Sequence, residues 1–131
     1  MAQLKISDLS VGDWVEWMGE RCKVDLPLLN TVFPHAKIYP AYTSATLQPI
    51  PITPEILEKN GFVKNDAYLH KIDIDDNITI GVRRQSDGYM FELKREKRRI
   101  GELLAIIRGL RNVHQLQHAL RLAGIEKEIE L

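Results

Sequence analysis

Apolar and polar residues alternate along three consecutive stretches of the second half of the chain. Tyr68, His70, Ile72 and Ile74 fall on alternate positions, as do Ile78, Ile80 and Val82, and then Tyr89, Phe91 and Leu93. A period of two is the mark of a strand with one buried face. Turn formers separate the stretches: Asp75-Asp76-Asn77 between the first two, and Gln85-Ser86-Asp87-Gly88 before the third. The apolar run after Gly101 predicts a fourth strand over 103–108, with a helix as the competing reading, because short apolar runs do not discriminate. Residues 66–110 thus read as an antiparallel meander.

Helix signals bracket this meander. Thr53 suits an N-cap, Pro54 the first helical position and Glu55 the positive helix end, while Gly61 supplies a left-handed stop. Phe62 can then fold back on Leu57. A second helix starts at Asn112, with Gln115 placed to reach back as in a capping box. Val113, Leu116, Ala119, Leu120 and Ala123 share one side of it, and Gly124 ends it.

The first half is built of shorter pieces. Trp14-Val15-Glu16-Trp17 reads as a strand turning near Gly19 into a hairpin partner over 21–25. Asp25 can cap a short helix over 26–33, with Pro27 in its first turn, although that stretch is ambiguous. Extended runs over 36–39 and 42–48 follow. They suggest a small curled sheet or partial barrel. The prolines at 49, 51 and 54 mark a boundary, because each removes a backbone donor and holds its predecessor extended. The expected fold is α+β: a small β-rich module over 1–50, then an α-β-β-β-β-α module over 51–131.

Composition narrows the function classes only slightly. Of 131 residues, 44% are hydrophobic and 27% charged, as in an ordinary globular protein. Eighteen basic residues balance eighteen acidic ones, so no overall field draws the chain to nucleic acid or membrane. Cys22 is the single cysteine, which excludes an intrachain disulfide and suits a reducing compartment. The N-terminal residues lack a signal-peptide pattern, and the longest apolar run, 103–107, falls far short of the roughly 20 residues of a membrane helix. A cytoplasmic setting without membrane contact is expected.

Three segments resemble a known group of sequences. They are Leu9-Ser-Val-Gly-Asp-Trp-Val15, Pro49-Ile-Pro-Ile-Thr-Pro-Glu-Ile-Leu-Glu-Lys-Asn-Gly-Phe62 and Asn112-Val-His-Gln-Leu-Gln-His118. In this order they are similar to a family of short uncharacterised bacterial proteins, often met among phage-derived or mobile-element genes. The resemblance implies a bacterial cytoplasmic setting and no particular activity.

Candidate chemistry is sparse. His114 and His118 lie four residues apart, the spacing at which two imidazoles on a helix can hold a transition metal. A zinc protease needs a glutamate after the first histidine to take a proton from metal-bound water, and that position is Gln115. Spacing identifies no third ligand, though His35 or His70 could approach in space. Asp73-Ile-Asp-Asp-Asn77 resembles the start of a calcium loop. Its sixth position should be glycine and is Ile78; its twelfth should be glutamate and is Arg84. A plain turn accounts for those residues better. Cys22 reads as a packed thiol, since alternation points it away from Arg21 and Lys23. Trp14 and Trp17 fall on opposite strand faces, one for the core and one for a contact surface.

Two surfaces remain. Between Gly81 and Arg111 nine basic residues face four acidic ones, and Arg83, Arg84, Lys94, Arg95, Lys97, Arg98 and Arg99 could meet phosphates. The stacking aromatics usual in such sites are missing there, because Tyr89 and Phe91 belong to the expected core face. The last helix sets His114, Gln117, His118 and Arg121 on a polar flank, with Leu122 roughly opposite the apolar stripe as a possible partner contact. No catalytic residue, resident metal or cofactor is identified. The expected function is a non-catalytic binding or accessory module, acting on a protein partner or a second copy through an exposed sheet edge or the last helix. Nucleic-acid binding through 83–99 and a metal-dependent enzyme at His114 and His118 are the alternatives.

Overall fold

The computed structural model describes residues 8–28, 47–97 and 100–131, with backbone alone at 96, 97 and 100. The chain forms two compact units, Met1–Pro51 with Asn112–His114, and Ile52–Arg111 with Gln115–Leu131. The architecture is α+β, with two antiparallel sheets and short helices.

In the first unit, strands β1 (Trp14–Trp17), β2 (Glu20–Lys23) and β3 (Leu47–Pro49) form a sheet in the order β2-β1-β3, which is not a closed barrel. Met18 and Gly19 make a two-residue hairpin turn, both at positive φ, +51° and +85°. Such turns match the right-handed twist of the strands they join. The return strand begins at Glu20, one residue earlier than the sequence suggested. Val15, Val24, Leu28 and Leu47 form the core, with Leu9, Trp17 and Cys22 packed against it. Trp14 takes the other face, where Lys23 Nζ lies 5.4 Å from its ring centroid. Residues 26–28 are helical, and Asp25 Oδ1 accepts a hydrogen bond from the Leu28 N–H at 2.7 Å. Residues 29–33, the run over 36–39 and most of 42–48 lie outside the described residues.

The second unit opens with helix α1 (Pro54–Lys59), which starts and stops as its sequence dictates. Thr53 Oγ1 accepts from the Ile56 N–H, and Pro54 occupies the first turn. At the far end Gly61 has φ +88°, and the Phe62 N–H reaches back to the Leu57 carbonyl at 3.0 Å. Helix α2 (Val113–Leu122) ends the same way, with Gly124 at φ +75° and the Ile125 N–H on the Leu120 carbonyl at 2.9 Å. Both endings satisfy carbonyls that a helix terminus leaves open. The start of α2 differs from expectation: Gln115 Oε1 accepts from the Arg111 N–H, one residue before Asn112. Among the described residues no helix is long and apolar enough to cross a membrane.

Between the helices runs a five-stranded meander in sequential order, β4 (Val63–Lys64), β5 (Leu69–Asp73), β6 (Ile78–Gln85), β7 (Gly88–Lys97) and β8 (Ile100–Leu110). The run over 103–108 is therefore strand, and β4 is an addition of two residues. Register places His70, Val82, Phe91 and Ile107 in one row across the sheet, with Ile72, Ile80, Leu93 and Ala105 in the next. Helix α1 lies on this face, since Glu58 Oε1 is 3.5 Å from His70 Nε2. Ile80, Val82 and Phe91 are fully enclosed, each worth roughly 1.5–3 kcal/mol of burial. The opposite face is also closed at its centre, by Leu69, Met90 and Glu92. That second buried face displaces the expected pattern in β5: Tyr68 is exposed, while Leu69 and His70 are both buried.

Candidate interaction edge

Among the described residues the sequential order leaves β8 with one neighbour, β7, so its other side is an edge of the described sheet. At eleven residues it is also the longest strand described. Leu103, Leu104 and Ile106 are 49%, 38% and 40% exposed on it, and Glu102 and Arg108 are exposed beside them. Five consecutive apolar residues, 103–107, cannot all turn toward one core when neighbours point to opposite faces. The ladder to β7 is irregular at two steps. Leu93 pairs with Ala105 and Lys94 with Leu103, so Leu104 is an extra residue; a second shift lies between the pairs Tyr89–Leu110 and Phe91–Ile107. The first bulge brings Leu103 and Ile106 to the same face, opposite Lys94 and Glu92.

Beside this apolar strip lies a charge cluster. Glu92 is buried, with Oε1 3.4 Å from Arg83 Nε and Oε2 3.2 Å from Lys94 Nζ. Gly81 stands directly across from Glu92. A Cβ there would come within 3.2 Å of Glu92 Oε2 and 3.3 Å of Leu69 Cδ1, so the missing side chain makes room for the carboxylate.

No protein-family model, curated protein or solved structure matches the chain. Its own geometry carries the functional reading.

The basic residues singled out in the sequence do not converge where the structure describes them. Arg83 and Lys94 share a face and both turn to Glu92. Arg84 and Arg95 belong to the other face at opposite ends of the sheet, because Arg95 pairs with Ile78. Six residues of strand separate Ile78 from Arg84, roughly 20 Å. The side chain of Lys97, and Arg98 and Arg99 altogether, lie outside the described residues.

Helix α2 buries more than its apolar stripe. Val113, Leu116, Ala119 and Leu120 are enclosed, and His114 is only 4% exposed. Gln117 and His118 are half-buried, Arg121 is exposed and Leu122 is 81% exposed. Among the described residues no group of three or more His, Cys, Asp or Glu side chains could hold a metal ion. His70 sits beside Glu58, and His35 lies outside the described residues. The acidic stretch after Asp73 is a turn: Asp75 Oδ1 accepts from the N–H groups of Asn77 and Ile78 at 2.7 and 2.9 Å.

Cys22 borders an open depression of about 280 Å³ in the first unit, lined also by Trp17, Lys23, Asp25, Pro27 and Leu28. Burial pushes its thiol pKa up, and the Asp25 and Glu20 carboxylates add to the rise. A thiol held protonated is a poor nucleophile. The edge residues Leu103, Leu104 and Ile106 were not named as a site by sequence reasoning. The available signal was positional: the last strand of a sequential meander closes nothing and must border solvent or a partner.

Proposed function

We propose that the chain is a protein-interaction module that works by strand addition along β8. The observation that carries this reading is the exposure of Leu103, Leu104 and Ile106 on a long edge strand. An edge offers a row of backbone donors and acceptors to an incoming strand, and natural proteins usually blunt long apolar edges with charge, proline or a cover. The 103–107 stretch has no charge and no proline. An added strand takes its affinity from main-chain hydrogen bonds and its specificity from side chains on alternate positions. Leu103 and Ile106 would seat apolar partner residues on one face, beside the Glu92 cluster.

The test compares capture of partners by the tagged chain and by a Leu103→Lys/Ile106→Lys double variant. Partners held by the parent and lost by the variant, at unchanged circular dichroism and melting temperature, are expected. Equal recovery by both proteins removes the edge from the function.

A further inference from the structure

The charges around β8 say what kind of strand it takes. Register places Lys94 in the row of Leu103 and Glu92 in the row of Ile106, on the face away from helix α1. Arg108 follows Ile107, which shares the α1 face with Phe91, so Arg108 turns to the Glu92 face. It is exposed and makes no ion pair among the described residues. We infer that the occupant of this edge is an acidic extended segment of another protein, with a carboxylate facing Arg108 and apolar side chains facing Ile106 and Leu103. This deepens the strand-addition reading and rests on it.

The balance of charge decides the sign of the partner. Among the described side chains beside the edge, Arg83, Lys94 and Arg108 stand against the single carboxylate of Glu92, an excess of two positive charges. Glu92 is buried and already held by Arg83 and Lys94, so Arg108 is left uncompensated. Lys71 and Asp73, the charged pair that register puts on this face of β5, are of opposite sign and lie three strand spacings from β8. That is roughly 14 Å, beyond the screening length of about 8 Å at physiological salt. The α1 face is balanced next to the edge, because Glu102 stands across from Arg95.

Only one face of an incoming strand therefore meets spare charge. A carboxylate opposite Arg108 gains from it, whereas a lysine or arginine there would make a like-charge pair, which destabilises a sheet. Leu103 and Ile106, both exposed on that face, supply the apolar seats. Since the whole chain is neutral, the attraction is local to this border.

A displayed library of random segments of roughly twelve residues, long enough to span the strand, selected on the full chain at low salt, tests this. Winners should carry Asp or Glu in alternation with apolar residues. Selection on Arg108→Glu should move the acidic position to Lys or Arg. A synthetic winner should bind the parent about fivefold or more tighter than Arg108→Glu at unchanged circular dichroism, and the difference should shrink in about 1 M salt. Winners with apolar alternation and no preference for acids overturn the acidic partner and leave strand addition standing. No winners, or winners that bind Leu103→Asn/Ile106→Asn, which changes no charge, as tightly as the parent, overturn both. A parent that self-associates in sedimentation and loses this in the same double variant puts a second copy on the edge and overturns the acidic partner.

Discussion

Asn60 and Glu130, seventy residues apart, exchange two hydrogen bonds: Asn60 Nδ2 donates to the Glu130 carbonyl at 2.7 Å, and the Glu130 N–H donates to Asn60 Oδ1 at 2.6 Å. The same Nδ2 also donates to the Ile56 carbonyl at 2.8 Å, within the last turn of α1. One buried amide thus finishes a helix and holds the segment that carries the enclosed Ile129. Asn60→Ala should cost about 2–3 kcal/mol, since removing one partner leaves buried backbone groups unsatisfied. Asn60→Asp should cost at least as much at neutral pH, because a carboxylate would face two carbonyl oxygens. Urea unfolding of both variants checks this, and a loss below about 0.5 kcal/mol, the scale of an ordinary surface change, would contradict it.

The buried Glu92 carboxylate sits between two cations that are themselves about one-third exposed, 36% for the Arg83 side chain and 33% for Lys94. Solvent therefore screens each pair, and the full cost of breaking a buried ion pair does not apply. Glu92→Gln keeps the shape and removes the charge, and should destabilise by about 1–2 kcal/mol. The gap between parent and variant should narrow in about 1 M salt, where the screening length is about 3 Å. Thermal melts at low and high salt give the comparison; a gap that salt does not change would place the effect in packing.

Cys22 should alkylate slowly at pH 8. Its raised pKa, set first by burial and then by Asp25 and Glu20, leaves less thiolate than in an unstructured peptide. Iodoacetamide labelling should quicken in denaturant. It should also quicken in Asp25→Asn, which removes a charge while keeping a side chain able to cap residues 26–28. The sign for stability follows from proton binding. The folded thiol holds its proton more tightly than the unfolded one, so the fold loses stability as pH rises past the ordinary thiol value of 9.0. Equal labelling rates in folded and denatured chain would contradict the burial.

Local signals in the sequence translated well into structure. Thr53, Pro54 and Gly61 delimit α1, and Gly124 ends α2, because caps and left-handed stops are settled within a few residues of chain. The turns at 75–77 and 86–87 are equally local. Long-range features were harder to read. Alternation in β5 assumed one buried face, whereas Leu69 and His70 lie on opposite faces and are both buried. Alternation says only that Glu92 turns away from Phe91; it is register that sets its buried carboxylate between Arg83 and Lys94. The basic run looked continuous because sequence proximity hides the pleat, which sends Arg83 and Arg84 to different faces. Which strand borders the sheet follows only from strand order, and no residue of β8 encodes that by itself.

Leu104 has a meaning for chain length as well as for shape. It is the surplus residue in the β7–β8 ladder, so a chain lacking it could keep Ala105 across from Leu93 and Leu103 across from Lys94. Loss of Ile106 or Ile107 would instead slide one half of the strand and turn its side chains over, the usual result of a one-residue slip. The shortened strand would also lose its kink and present a flatter border. Irregular edges guard against open-ended stacking of strands, and here a spare leucine supplies one of the two irregularities of the strand.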